Sequence, residues 1–233
     1  MSNENNEFHN AAHLSHITLN LQKPLSIFVP TLYRYLPKQY VESFFDTGSF
    51  RVSCFRQFYK HTNEQQGDKS EGTAMLLIND KKADLSFGAF AELGQHAYIS
   101  SFTSRMNKLD KVFGDAVIEI FEPLGFLAEI ANELPGSENA MIGPCVYAER
   151  RILQSMKGAP DIKSLQDGNG NVVMEKILEV SNSISGPKVY FLKEKKYEDQ
   201  AEYRMIWENH REVKEPLIVT IHNPQRFCRW IKV

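Results

Sequence analysis

The order of apolar and polar residues along the chain predicts several short strands and a few amphipathic helices. The first helix begins at Pro37, a residue suited to a first helical turn, and ends at Gly48, which favours a left-handed backbone. Its apolar face is formed by Tyr40, Val41, Phe44 and Phe45. Two further helices are predicted over residues 125–134 and 172–180.

Apolar runs bounded by turn residues predict the strands. They cover residues 32–35, 50–55, 75–78, 97–102, 116–121, 144–148, 189–192, 203–207 and 217–221. Strands and helices mix without a strict β–α–β rhythm, and hairpin-like neighbours crowd the C-terminus. We therefore predict an α+β fold with mostly antiparallel pairing.

The composition is that of a globular protein. The chain has 233 residues, of which 42% are hydrophobic and 24% are charged, and this length suits one large domain. We predict a flexible polar tail over residues 1–25 and a single α+β domain over residues 26–233. The net charge of −2 does not indicate nucleic acid as a partner, although a local basic groove would allow it.

Cysteine usage and hydropathy predict a cytoplasmic protein without a membrane partner. The three cysteines are widely spaced and include no CxxC pair, so neither a disulfide framework nor a zinc site is expected. No apolar stretch approaches the roughly 18 residues that cross a bilayer. The N-terminus also lacks the pattern of a secretory signal.

The segment over residues 193–207, KEKKYEDQAEYRMIW, carries the strongest candidate chemistry. Gln200 and Glu202 would share one face if both lie on a strand, because alternate residues of a strand point the same way. Glu202 at the entry of this strand can then reach into a cleft. The alternative interpretation is structural, since Arg204 shares that face and can form a salt bridge with Glu202.

Two further segments carry polar groups suited to a ligand. The strand end YISSFTS has hydroxyls on both faces, from Ser100, Ser101, Thr103 and Ser104. They can brace a carboxylate or bind a ribose or phosphate, or they can simply satisfy backbone groups. In the segment LYRY, Arg34 can hold a pyrophosphate through two N–H groups, or it can cover its tyrosine neighbours at the surface.

Common catalytic signatures are missing from the sequence. It has no glycine-rich dinucleotide or P-loop motif, no HExxH and no GxSxG. The acidic loop over residues 67–72 holds Asp68, Lys69 and Glu71, which a metal-dependent nuclease would use. Such sites usually draw carboxylates from several elements, so we rank this hypothesis last and expect no bound metal.

Taken in order, these segments resemble a family of bacterial proteins known as domain of unknown function 2971. The resemblance covers residues 32–210. It rests on the Tyr-Arg-Tyr element, a helix that ends in glycine before a strand, the acidic loop DKSEG, the strand end SFTS and the late segment KYEDQAEYR.

The same segments are similar to the Arg…Ser-x-Ser/Thr…Gln/Glu-x-Glu arrangement of ADP-ribosyltransferases. This resemblance implies a twisted or split sheet with flanking helices, and NAD as the substrate. It also implies a macromolecular target, either a protein or a nucleic acid, and a role as a toxin or phage-defence factor.

The transferase resemblance assigns roles to six residues. Four of them would form the cofactor-binding site: Tyr33, Arg34, Ser101 and Thr103. Arg34 would hold the NAD phosphates, and Ser101 and Thr103 would supply the hydroxyls that support the site. Glu202 would be the catalytic acid that stabilises the positively charged ribose as nicotinamide leaves, and Gln200 would orient the target.

A different class of function is consistent with the same residues. The protein would then be a non-catalytic module that binds a nucleotide or a nucleic acid. Aromatic and basic side chains near the start of the chain would supply stacking and charge: Tyr33, Arg34, Tyr35, Arg56 and Tyr59.

Overall fold

The computed structural model describes residues 29–60, 70–80, 85–106, 113–154 and 162–231. The predicted tail over residues 1–25 lies outside these ranges, as do Asp68 and Lys69 of the acidic loop. Across the ranges that are described, no helix has the length and apolar character needed to cross a membrane.

The described elements are short strands, five α-helices and several 3-10 turns. The strands are β1 (Leu32–Leu36), β2 (Ser49–Cys54), β3 (Thr73–Asp80), β4 (Leu85–Glu92), β5 (Ala97–Thr103), β6 (Ala116–Ile120), β7 (Ser137–Pro144), β8 (Val146–Ala148), β9 (Ile152–Gln154), β10 (Leu192–Glu194), β11 (Glu202–Asn209), β12 (Leu217–Thr220) and β13 (Cys228–Ile231). The helices are α1 (Lys38–Thr47), α2 (Phe55–Lys60), α3 (Pro123–Glu133), α4 (Met174–Ser185) and α5 (Lys188–Phe191).

The chain divides into two compact units. The larger unit comprises Val29–Met75, Phe90–Ile152 and Pro187–Val233. The smaller unit includes Leu76–Ala89 and Leu153–Gly186, and it contains α4 and the greater part of β3 and β4. The interpretation of residues 26–233 as one domain stays a prediction.

An eight-stranded sheet forms the larger unit. Its main path runs β12-β2-β5-β1-β6-β13, and β11 pairs with both β5 and β7. All these pairs are antiparallel, whereas β8 and β10 form a separate parallel pair. The prediction of an α+β fold with mostly antiparallel pairing is therefore confirmed.

Helix α1 and its glycine end agree with the sequence pattern. Gly48 has φ 76°, and its N–H donates to the carbonyl of Phe44. A Cβ at Gly48 would lie 2.3 Å from the carbonyl oxygen of Ile221, so only glycine fits this turn. Val41 is buried, but Tyr40 is 56% exposed, so its assignment to the apolar face was wrong.

Two predicted strands were placed wrongly. Residues 189–192 were expected to extend, yet α5 covers most of them and β10 starts only at Leu192. The ring of Tyr190 packs 5.8 Å from that of Phe55, and this burial overrides the strand propensity of valine and aromatic residues. The strand expected over residues 144–148 is instead divided by Cys145, which separates β7 from β8.

The core of the larger unit packs one face of β5 and β11 against α1 and α3. Phe126 of α3 makes edge contacts with the rings of Phe50 and Phe102. Met205 and Trp207 of β11 are fully buried there, as the alternation along this strand predicted. On the opposite face of β5 and β11, Ile99 and Ile206 pack in a second apolar cluster with Phe55 and Tyr190, and polar side chains lie beyond them.

Candidate functional site

Polar residues occupy one end of the second face of β5 and β11, where β5 ends and β11 begins. The register sets Ser101 opposite Arg204 and Thr103 opposite Glu202. Alternate residues of a strand share a face, so these four side chains lie together. The structure thus brings the two segments of strongest candidate chemistry into direct contact.

Glu202 is buried and fixed by three donors. Its Oε1 accepts hydrogen bonds from Ser101 Oγ over 2.7 Å and from Arg204 Nε over 2.6 Å. Its Oε2 accepts from Lys193 Nζ. The backbone N–H of Glu202 donates to the hydroxyl oxygen of Tyr147 over 2.7 Å, which holds the start of β11 in place.

A second buried carboxylate, Glu71, completes a group of four charges. Its Oε1 lies 2.8 Å from Arg204 Nη2 and 3.5 Å from Lys193 Nζ. The neighbouring Gly72 has φ 74°, and a Cβ there would lie 2.7 Å from Cα of Gly94. Glycine at this position therefore allows the turn that presents Glu71 to the cluster.

We name Glu71, Lys193, Glu202 and Arg204 the ion quartet. Each of its members is buried, and Arg204 has no exposed surface. Two positive and two negative charges cancel, as burial of charged groups requires. Arg204 also donates from Nη1 to the carbonyl oxygen of Tyr190 over 2.5 Å, which links the quartet to α5.

The quartet holds Glu202 in its ionised form. Burial acts to raise the pKa of Glu202, but the charges and hydrogen bonds of Arg204 and Lys193 outweigh it and hold this pKa well below its usual range. Burial likewise acts to lower the pKa of Lys193, and the carboxylates of Glu202 and Glu71 raise it instead. The carboxylate and the ammonium thus stabilise each other in their charged forms.

Gln200 reaches the site by a different route from the one predicted. It ends the 3-10 helix Lys195–Gln200, and Ala201 with φ 42° then turns the chain into β11. The prediction that Gln200 shares a strand face with Glu202 was therefore wrong. Its Oε1 instead accepts from Lys193 Nζ over 2.9 Å, so the lysine connects Gln200 to Glu202.

The hydroxyl of Thr103 is engaged with the backbone. Its Oγ1 donates to the carbonyl of Arg105 over 3.0 Å and accepts from the N–H of the same residue. Thr103 thus satisfies local backbone groups, which was one of the two interpretations of this segment. Ser101, in contrast, directs its hydroxyl to Glu202.

Arg34 lies on the other face of the sheet from the quartet. Its guanidinium carbon is 4.5 Å from the ring centroid of Phe50 and 5.7 Å from that of Phe102. Its Nη2 donates to the carbonyl of Arg51 over 3.3 Å. Burial, followed by the neighbouring charge of Arg51, lowers the pKa of Arg34 to about 10.

One cavity nevertheless joins the two faces. Its volume is about 250 Å³. It is lined by Tyr33, Arg34, Tyr35, Leu36, Ser53, Phe58, Glu71, Ile99, Ser100, Ser101, Phe102, Thr103, Phe113, Lys193, Gln200 and Glu202. The six residues that the transferase resemblance assigned all belong to this set, although their roles stay predictions.

Three residues of the site were missed or misjudged from sequence. Lys193 and Tyr147 received no role. Lys193 stands nine positions before Glu202 on a separate strand, β10, and Tyr147 stands 55 positions before it on β8, so the alternation along β11 relates neither residue to Glu202. Glu71 was considered only in the nuclease hypothesis that was ranked last, and the structure pairs it with Arg204. Among the residues that the structure describes, no group of three or more metal-ligating side chains could hold a metal ion.

Comparison with known proteins finds no matching family model, curated protein or solved structure. Both family resemblances therefore stay predictions.

Proposed function

We propose that the cavity binds NAD and that the protein is an ADP-ribosyltransferase-like enzyme that modifies a protein or a nucleic acid. The observation that carries this proposal is the hydrogen bond from Ser101 Oγ to Oε1 of Glu202, within the cavity that Arg34 also lines. It joins the supporting hydroxyl to the catalytic carboxylate that the motif order assigns.

The state of Glu202 suits this reaction. When the bond between the ribose and nicotinamide breaks, positive charge develops on the ribose, and an ionised, preorganised carboxylate stabilises it. Oε1 already accepts two hydrogen bonds, whereas Oε2 accepts one, from Lys193. A carboxylate oxygen has two acceptor positions, so Oε2 keeps one for a ribose hydroxyl.

The volume of the cavity limits which part of NAD it encloses. Pockets for drug-sized ligands span roughly 300–1,000 Å³, and this cavity is smaller, at about 250 Å³. It suits the nicotinamide riboside with its adjoining phosphate, while the adenosine part extends outside. Tyr33 and Phe58 in the wall offer aromatic surface to the nicotinamide ring.

The enzyme acts in the cytoplasm, as a toxin or a phage-defence factor. Three buried free cysteines, Cys54, Cys145 and Cys228, fit a reducing compartment.

The test is to incubate the full chain with labelled NAD and a mixture of cellular proteins and nucleic acids. We expect release of nicotinamide and transfer of label to one class of macromolecule, and loss of both in Glu202→Gln. Glu119→Gln is the matched control, because Glu119 is also a buried glutamate, paired with Arg229, and does not line the cavity. Nicotinamide release by Glu202→Gln at the parent rate would exclude Glu202 from catalysis.

A second function, a non-catalytic nucleotide-binding module, is favoured by the charge balance of the ion quartet. Lys193 and Arg204 both form ion pairs with Glu202. Their positive charges reduce the electrostatic stabilisation that Glu202 can give to a positively charged ribose. Binding of NAD or ADP without release of nicotinamide, unchanged in Glu119→Gln, would favour this function over the enzyme.

A further inference from the structure

The main sheet has a gap beside the middle of β5. On one edge β11 is in register with β5 along its whole length. On the other edge β2 is in register with Tyr98 and Ile99, and β1 is in register with Thr103. Among the described residues, no strand on that edge is in register with residues 100–102. The cavity lies at this gap, since residues from both faces of β5 line it.

Two buried polar atoms at this gap have no hydrogen-bond partner within the described part of the chain. They are Nη1 of Arg34 and Oγ of Ser100. Both residues line the cavity, and Ser100 is only 1% exposed. Ser100 shares a face of β5 with Phe102, over which the Arg34 guanidinium lies, so both atoms are on the same side of the sheet.

The part of the chain that the structure describes also leaves the charge of Arg34 uncompensated. Across the described residues, no carboxylate forms an ion pair with its guanidinium, and the one charge that acts on it is that of Arg51. Its stacking on Phe50 uses the face of the guanidinium. Nη2 donates to the carbonyl of Arg51, whereas Nη1, which also lies in the plane of the guanidinium, stays available to an acceptor.

We propose that the gap between β1 and β2 is a phosphate subsite, in which Arg34 Nη1 and Ser100 Oγ donate to the same phosphate group. The phosphate supplies the missing negative charge and two strong acceptor oxygens. Ser100 is thereby a ligand-binding residue, distinct from Ser101, which supports Glu202 on the other face. The inference rests on the proposed function only in taking this phosphate to belong to NAD.

A ligand that contacts both Ser100 and Glu202 therefore has to pass through this gap in the sheet. Its phosphate lies on the face of Ser100 and Arg34, and its ribose lies on the face of Ser101 and Glu202. This placement favours a sugar with a phosphate close to the reacting carbon, as in the nicotinamide riboside phosphate half of NAD. An uncharged nucleoside leaves Arg34 without an anion, so it binds weakly.

The subsite can be tested by calorimetric titration of the full chain with pyrophosphate, ADP and adenosine in a phosphate-free buffer. We expect pyrophosphate and ADP to bind, and adenosine to bind at least about tenfold more weakly than ADP. Ser100→Ala should weaken pyrophosphate at least about tenfold, the effect of one hydrogen bond to a charged group. Arg34→Met should remove pyrophosphate binding.

Ser104→Ala is the matched control. Ser104 closes the same segment, but its hydroxyl already donates to the carbonyl of Ala201 and it does not line the cavity. This variant should bind pyrophosphate like the parent. Circular dichroism and thermal unfolding verify that each variant is folded, and Arg34→Met provides an independent test if Ser100→Ala does not fold.

The outcomes separate the subsite from the enzyme. Pyrophosphate binding that depends on Ser100, without nicotinamide release from NAD, supports the subsite and contradicts the transferase. Nicotinamide release without any pyrophosphate binding overturns the subsite and leaves the transferase standing. If Ser100→Ala and the parent bind pyrophosphate with equal affinity, the phosphate subsite is likewise overturned.

Discussion

Ser101 and Glu202 lie on neighbouring antiparallel strands, and the serine hydroxyl donates to the glutamate carboxylate over 2.7 Å. The bond joins two residues that are 101 positions apart in the chain. It places a hydroxyl donor on the same carboxylate oxygen that Arg204 contacts, within the cavity. Several measurable consequences depend on this contact and on the ion quartet around it.

Removal of the Ser101 hydroxyl should affect turnover more than folding. Ser101→Ala deletes one of three donors to Glu202, and a hydrogen bond to a charged group contributes about 1.5–3 kcal/mol. We expect nicotinamide release at saturating NAD to fall about tenfold or more, while the protein stays folded. The comparison is with Ser104→Ala, and equal rates in the two variants would contradict the supporting role.

Stability should depend on pH through Glu202. The folded pKa of Glu202 is held below that of the unfolded chain, which is about 4.3 for glutamate. The unfolded state therefore binds more protons as the pH falls, so this contribution is fully present above about pH 5 and is lost as pH drops towards the folded pKa. Denaturant unfolding of the parent and of Glu202→Gln should show a stability difference that narrows below about pH 4.

The exposed Glu138 supplies the control for that titration. Glu138→Gln removes one carboxylate without touching the quartet, and its stability should follow the parent at every pH. If the difference in free energy of unfolding between Glu202→Gln and the parent is the same at acidic and neutral pH, the charge of Glu202 does not stabilise the fold.

Lys193 should contribute more to stability than a surface lysine. Lys193→Met leaves Arg204 as the one cation of the ion quartet beside two buried carboxylates, and breaking a buried ion pair costs about 3–5 kcal/mol. Lys195→Met is the matched control, because its partner Glu149 is exposed and such pairs contribute about 0–1 kcal/mol. Chemical denaturation of the parent and of each variant measures the loss in free energy of unfolding for both substitutions.

A double-mutant cycle tests whether charge balance is the cause. Adding Glu71→Gln to Lys193→Met restores neutrality, so the double variant should be destabilised by less than the sum of the single variants. Additive losses would indicate that packing, and not charge, explains the effect of Lys193.

Arg34→Met should raise the thermal midpoint in the absence of ligand. The substitution removes a buried guanidinium that has no counter-charge among the described residues, and it keeps an apolar side chain between Phe50 and Phe102. Pyrophosphate should raise the midpoint of the parent but not that of Arg34→Met, because a ligand stabilises only the state that binds it. A lower midpoint for ligand-free Arg34→Met would mean that the stacked cation stabilises the fold.

Local patterns in the sequence determined much of what surrounds the site. Gly48 ends α1, and the alternation along β11 buries Met205 and Trp207 while it turns Glu202 and Arg204 to the other face. Such features depend on neighbours a few residues away, and for this reason they can be read from composition and period alone. The salt bridge between Glu202 and Arg204 follows from the same spacing.

Only the tertiary structure decided which side chains from different elements meet. Lys193 and Glu71 reach Glu202 because β10 and the turn before β3 both lie against the start of β11. No periodic pattern in the sequence predicts that these elements meet. Tertiary packing also made a helix of α5 where local propensity favoured a strand. The physical reason is that burial and strand pairing are set by contacts between segments far apart in the chain, whereas sequence periodicity reports only on adjacent turns and faces.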